Sequence, residues 1–244
     1  MFTPHITHEE IEELPYVAFG GKITVVDKRE KTAAAVSCLM QEPILGYDTE
    51  TRPSFTRGIR YGVSLVQLST ADHAFLFRID KIGVPKELVA LLQSKHVLKV
   101  GVAVNEDIRG MQRIGAFRPQ GFVDLQQLAD RYGIADKALK KIAAIVLQLR
   151  ISKSQQTSNW AALRYTAEQK LYAATDAWVC REIYLKLMEH PPTALPATAE
   201  IAKDGAANSE KAKKRRRKPR KVSMLRKAQQ ACALTNTTPH DSRQ

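Results

Sequence analysis

Asp48 and Glu50 stand two residues apart at the end of the apolar run Ile44-Leu45-Gly46-Tyr47. A strand alternates its side chains between faces, so both carboxylates point the same way. Two acids on one face repel each other unless a proton or a cation sits between them, and hard divalent cations prefer oxygen ligands. A metal site is the first expectation for this stretch. The alternative is a solvated strand end, because an Asp-x-Glu triplet alone occurs by chance in many proteins. Two distant acids can join it: Asp107, at the start of a helix that follows another strand, and Asp176, on the last long helix. Tyr172 precedes Asp176 by four residues and shares its helical face, with Ala173 and Ala174 small enough to let that face approach the acidic strand. An unpaired Asp on an inward helical face is costly unless a cation meets it. Phosphodiester hydrolysis needs an activated water, a polarised phosphoryl oxygen and a stabilised leaving group. Two divalent ions roughly 3.5–4 Å apart supply all three, and four carboxylates suit such a pair.

The elements that must position these residues follow from periodicity. Lys22–Val26 alternates polar and apolar residues and predicts an edge strand; residues 27–40 predict an Ala-rich helix with Asp27 as N-cap. Ile44–Glu50 predicts a buried strand. Residues 62–69 and 74–77, around Thr70-Ala71-Asp72, predict a hairpin paired to it. Pro85–Leu92 predicts a short helix, His96–Val100 a strand, and Asn105–Ile114 a helix with acids in its first turn, where the dipole favours them. Phe122-Val123 predicts a brief strand, Asp124 a cap for the helix Leu125–Tyr132, and Ala138–Leu147 a buried helix. Ala167–Glu189 keeps the helical period until Pro191-Pro192 stops it. The residues before Lys22 carry no assignment. Strands first and helices later predict a mixed α/β sheet with helices on both faces.

The chain has 244 residues, 44% of them hydrophobic, which permits one substantial core with an appendage. The expected division is a folded body over 1–190 and a disordered tail over 191–244. With no run of about 18 apolar residues and no signal-peptide core, a soluble, unexported protein is expected, cytoplasmic or, in a eukaryote, nuclear. Cys38, Cys180 and Cys232 are far apart, and the histidines at 5, 8, 73, 96, 190 and 240 are scattered, which argues against zinc sites and a disulfide framework. Of the net charge of +13, residues 201–244 supply +10, from 13 Lys/Arg against 3 Asp/Glu, leaving +3 for the body. Nine of the eleven residues from Lys211 to Lys221 are basic. Lys213, Lys214, Arg215, Arg216, Arg217 and Lys218 are the expected phosphate contacts of an arm that binds nucleic acid through salt-sensitive charge, with a localisation signal or a solubilising tail as alternatives. Without interleaved aromatics the arm is not expected to stack on bases. A membrane partner is not expected, and nothing in the pattern specifies an oligomeric state.

These residues resemble a known family, the DEDD 3'-5' exonucleases on a ribonuclease H-like fold, in the subgroup with tyrosine in the last motif. Asp48-Thr49-Glu50 matches the first motif, Val100-Gly101 through Asp107 the second, and Tyr172-x-x-x-Asp176 the third. The likeness runs from about residue 25 to 188 and takes in Thr49–Phe55, Val66-Gln67-Leu68 and Ser158-Asn159-Trp160. Within the family it is similar to the Werner helicase exonuclease domain and to ribonuclease D. The resemblance implies that Asp48, Glu50, Asp107, Tyr172 and Asp176 are catalytic. Asp48, Glu50 and Asp176 would surround one Mg²⁺ or Mn²⁺, Asp48 and Asp107 the second, and Tyr172 would orient the water. It also implies digestion from the 3' end with release of nucleoside 5'-monophosphates. Position 171 is Leu and no His lies near Asp176, which disfavours the histidine subgroup. The spacing of Asn105 and Asp107 departs from the proofreading-polymerase pattern, so Asn105 receives no role.

Arg52, Arg57 and Arg60 follow the acidic pair and either grip phosphates or balance its charge. Lys153 and Ser154 are candidates for lining the substrate channel. Trp160 is expected to dock a helix rather than stack on a base, and Asp124 to cap rather than ligate. DNA is favoured over RNA because no helical RNA-binding domain of the ribonuclease D type follows residue 190. RNA 3'-end trimming is one alternative. A non-catalytic nucleic-acid-binding scaffold on a nuclease fold is the other, and the presence of all four acids and the tyrosine weighs against it.

Overall fold

The computed structural model describes residues 1–192 except Phe55, Arg57, Ile59 and Arg60. The expectations placed on Arg57, on Arg60 and on residues 193–244, including the six tail cations Lys213 to Lys218, lie outside the described residues. Six strands make one mixed sheet: β1 (Lys22–Val26), β2 (Ile44–Thr51), β3 (Val63–Ser69), β4 (His73–Arg78), β5 (Leu98–Gly101) and β6 (Phe122–Asp124), in the order β1-β4-β3-β2-β5-β6. The predicted hairpin is β3–β4; β3 runs antiparallel to β2 as well, while β1–β4, β2–β5 and β5–β6 pair in parallel. β1 is the predicted edge strand, and the acidic strand β2 sits inside the sheet.

Among the described residues eight α-helices surround it: α1 (His8–Glu13), α2 (Thr32–Leu39), α3 (Ile79–Ile82), α4 (Lys86–Leu92), α5 (Val104–Gln112), α6 (Leu125–Asp130), α7 (Leu139–Leu147) and α8 (Ala167–Met188). The alternation of β2 sorts the layers. Leu45 and Tyr47 point into a core shared with α2, α4 and α5, together with Val66, Leu68, Phe75 and Phe77. On the opposite face α6, α7 and α8 pack with Val100, Val179, Ile183 and Leu187. Each fully buried Leu, Val or Phe contributes about 1.5–3 kcal/mol relative to exposure, so both helical layers are held by the same central strands. Among the described residues no helix is long and apolar enough to cross a membrane.

Several local expectations need correction. The unassigned opening contains α1, whose start is a capping box: Glu10 N donates to Thr7 Oγ1 at 3.2 Å and Thr7 N to Glu10 Oε2 at 2.7 Å. Asp27 does not cap the Ala-rich helix. A 3₁₀ turn over Arg29–Lys31 precedes α2, and Asp27 instead takes a 3.0 Å bond from Lys31 Nζ. Pro85 is the N-cap of α4 rather than its first turn, and α3 is a single unpredicted turn after β4. The helix expected to reach Ile114 stops at Gln112, and the one expected to reach Tyr132 stops at Asp130. Asp124 does cap α6: its Oδ1 accepts from Gln126 N at 2.9 Å and from Ala103 N at 3.2 Å.

Candidate metal centre

At the end of β2, Asp48 and Glu50 face α8, and each of Asp48, Glu50 and Asp176 offers an oxygen within 4.8 Å of the others. The long helix is held there by close packing. Gly46 carries no side chain, so the α8 backbone at Ala177 touches the strand, and Ala173 and Ala174, about one turn before it, are fully buried. Thr175 Oγ1 accepts from Phe19 N at 3.0 Å and donates to Leu171 O at 2.7 Å, pinning the N-terminal segment against α8.

The first turn of α8 has its own anchor. Thr166 and Gln169 form a capping box, and Gln169 Nε2 donates to Ser158 Oγ at 2.6 Å and to Asn159 O at 3.4 Å. That bond docks the segment carrying Trp160, which is completely buried against Leu65, Leu76 and Ala173, with its ring 6.0 Å from that of Tyr172. Trp160 is thus the docking residue expected of it, not a platform open to a base.

Asp107 reaches the site from the other helical layer. It lies in the first turn of α5, and its Oδ1 accepts from Thr49 Oγ1 at 2.6 Å. Thr49 lies between Asp48 and Glu50 and points to the opposite face of β2, so three acids gather on one side and the fourth comes round the strand end. It is not part of the three-carboxylate group that shares the 4.8 Å envelope.

Burial raises all four carboxyls. Asp48 is pushed well above the usual carboxylate range, first by burial and then by Glu50, Asp107 and Asp176. Glu50 rises to about 9 through burial and the charges of Asp176 and Asp107. Asp176 rises to about 7 through burial, with the Tyr172 hydroxyl working against it. Asp107 also rises to about 7 through burial, opposed by the bond from Thr49. Among the described residues no Lys, Arg or His pairs with any of these acids. Gln67, register partner of Asp48, is fully buried with both amide atoms unpartnered. Hard oxygen donors with no internal counter-charge, beside buried polar atoms the protein leaves unsatisfied, fit a divalent cation such as Mg²⁺ or Mn²⁺.

Tyr172 stays a neutral phenol, because burial and the nearby charges of Asp176 and Glu50 oppose its ionisation. Beside it opens a cleft of ≈ 440 Å³, mouth included, lined by Tyr16, Ser152, Ser154, Leu171, Tyr172 and Asp176 among others. Of the two residues expected to line a substrate channel, Ser154 lines this cleft, while Lys153 is exposed and is not part of its lining. Arg52 is exposed too, its guanidinium 4.7 Å over the Tyr61 ring and unpaired with the acids. Tyr16 and Ser152 are lining residues that the sequence reading missed. Tyr16 is placed by strand-like pairing of its neighbours with Arg150, Val17 N to Arg150 O and Arg150 N to Pro15 O, both 3.0 Å, a long-range event without local periodicity.

Residues 23–190 match a family model described as 3'-5' exonuclease. The chain is 32% identical over 190 residues to the mouse bifunctional 3'-5' exonuclease/ATP-dependent helicase WRN, covering 72% of this chain but 13% of that protein. It is 27% identical over 193 residues to a 3'-5' exonuclease of Arabidopsis thaliana, covering 72% of this chain and 67% of that one. Among solved structures, Escherichia coli RNase D, described as an exoribonuclease involved in structured RNA processing, superposes with a TM-score of 0.63 at 25% identity, covering 69% of this chain and 44% of that one. The mixed sheet is therefore the ribonuclease H-like fold expected from the sequence.

Proposed function

The chain belongs to the 3'-5' exonuclease family, and from that premise we propose that it removes nucleotides from the 3' end of a DNA strand and releases nucleoside 5'-monophosphates. The convergence of Asp48, Glu50 and Asp176 within 4.8 Å, with Tyr172 on the same helical face, carries the reading. Tyr172, one turn before Asp176 on the same helical face, supports a reading in the tyrosine subgroup. Two divalent ions, when bound there, would supply Lewis acidity, an acidified water and charge to offset the leaving oxygen.

Asp48, Glu50 and Asp176 would hold one ion, and Asp48 with Asp107 would hold the other. Thr49 fixes the Asp107 carboxyl so that it presents a set oxygen. Tyr172, kept neutral, offers its hydroxyl to orient the attacking water, and the cleft beside it takes the terminal nucleotide. Arg52 and Lys153 meet phosphates at the rim, and the basic run Lys211–Lys221 adds sequence-independent affinity. DNA as the preferred polymer is supported by the likeness to DNA polymerase I of Aquifex aeolicus, 27% identical over 164 residues. The likeness to RNase D favours RNA 3'-end trimming as the second reading.

The test is to incubate 5'-labelled single-stranded DNA, duplex DNA and RNA with the protein in Mg²⁺, Mn²⁺ or EDTA. A ladder shortening from the 3' end that disappears with EDTA or Asp48→Ala is the expected result. Binding without cleavage under every metal would sink it in favour of a scaffold.

A further inference from the structure

Glu50, Leu65 and Arg78 are register partners across the neighbouring strands β2, β3 and β4, so their side chains leave the same face of the sheet. Adjacent strands lie about 4.8 Å apart, which sets the backbone of Arg78 about 10 Å to the side of Glu50. Arg78 is only 2% exposed. It donates to both oxygens of Asp80, at 2.9 and 2.5 Å, and to Ala162 O at 2.7 Å, while its guanidinium lies 4.1 Å over the Tyr165 ring. A cation held this rigidly, with Asp80 offsetting its charge, shapes a wall.

In front of that wall lies a cleft of ≈ 680 Å³, mouth included, whose other cations are Lys81, Arg164 and Lys170. Lys81 donates to Leu163 O at 2.8 Å, which ties the loop to α3 and leaves two of its three N–H groups for another acceptor. Among the described residues neither Arg164 nor Lys170 has an ion-pair partner. Asp27, the acid in the cleft's lining, is already bonded to Lys31 at 3.0 Å. Leu163, 80% exposed, and Tyr165 add apolar surface beside these charges.

Resting on the exonuclease reading above, we infer that this cleft binds the phosphodiester backbone of the strand whose 3' end lies on the acids, through Lys81, Arg164 and Lys170. The cleft's strand lining, Arg78 on β4 and Val25 on β1, lies two to three strands from Glu50, about 10–14 Å, and at about 3.4 Å per stacked nucleotide this suits phosphates some three to four nucleotides upstream of the cut. Arginine and lysine are the side chains that recognise phosphate, and the apolar lip receives sugar and base.

The experiment compares the full chain with the double variant Lys81→Glu/Arg164→Glu, two exposed positions. Binding of a 5'-fluorescein single-stranded 12-mer is followed by anisotropy in EDTA across salt. Hydrolysis of the p-nitrophenyl ester of thymidine 5'-monophosphate, which ends at the scissile phosphate, is followed with Mn²⁺. The expected result is a Kd for the 12-mer at least tenfold higher and a salt slope about 1.4 lower, at ~0.7 per phosphate contact on a single strand, with ester hydrolysis within twofold. An unchanged Kd and slope overturn the inference, and so does an equal loss of ester hydrolysis, which would move these residues into the chemistry. If charge reversal unfolds the protein, the neutral pair Arg164→Gln/Lys170→Gln reads the same slope. Should the unaltered protein bind the 12-mer but hydrolyse neither substrate, the exonuclease reading fails while the slope still scores the cleft.

Discussion

A β-carbon built on Gly46 would lie 1.7 Å from the Ala177 carbonyl oxygen, so β2 and α8 meet backbone to backbone directly below Asp48 and Asp176. The two strand acids and the helix acid therefore share one rigid joint. Gly46→Ala must force the joint apart. Overpacking of this kind costs about 1–3 kcal/mol, which lowers the melting temperature by roughly 2–12 °C in a domain of this size. Exonuclease activity should fall further than stability, because the acids separate. A thermal melt beside a kcat measurement checks both, and a fully active, equally stable variant contradicts the packing argument.

The raised carboxyls set a pH dependence with a definite sign. Unfolded, these groups ionise near 3.8 or 4.5; folded, Asp107 and Asp176 do so at about 7 and Glu50 at about 9. A raised folded value means that the stabilisation is complete below the unfolded value and is lost as pH rises through the folded one. In EDTA the melting temperature should therefore drop between about pH 5 and pH 9, and Glu50→Gln should flatten that drop. Mg²⁺ or Mn²⁺ should restore stability at the alkaline end. A melting temperature that climbs with pH in EDTA would count against the cluster.

Thr49→Val keeps the shape of the side chain and removes the hydroxyl that donates to Asp107 Oδ1 at 2.6 Å. A hydrogen bond to a charged group is worth about 1.5–3 kcal/mol, so kcat/KM should fall roughly 10- to 100-fold. Asp107→Asn should cost more. Steady-state kinetics on a short oligomer measure both, and a Thr49→Val enzyme indistinguishable from the parent would remove the assigned role.

Tyr172→Phe should lower kcat by about 100-fold, the lower end for a positioned proton-handling group, while leaving the midpoint of Mn²⁺ activation in place. A shift of that midpoint with little change in kcat would make the phenol a support for the metal site rather than a partner of the water.

Much of this site is written in local pattern. The two-residue repeat of Ile44–Glu50 puts both acids on one face, and the 3.6-residue repeat of α8 puts Tyr172 above Asp176. Both readings survive folding because the packing follows the pattern. Thr7-His8-Glu9-Glu10 was equally legible as a capping box, but only Ile11 of α1 is buried, so no apolar period drew attention to it. Asp27 looked like a cap because sequence does not reveal that a 3₁₀ turn shifts the helix start. Tyr16 and Ser152 had no local signal at all. Their place depends on pairing between residues more than 130 positions apart. Arg78, a buried guanidinium at a strand end, was unreadable for a related reason: the Tyr165 ring it faces comes from a loop far along the chain.

The acids belong to two different helical layers, Asp176 on one side of β2 and Asp107 on the other, and Thr49 at the strand end bonds to Asp107. Neither half owns the chemistry. A chain that has consolidated only β2 against α8 holds three of the carboxylates, and one that has consolidated only β2 against α5 lacks Asp176, so the set of four is complete only when both layers have docked on the same strand.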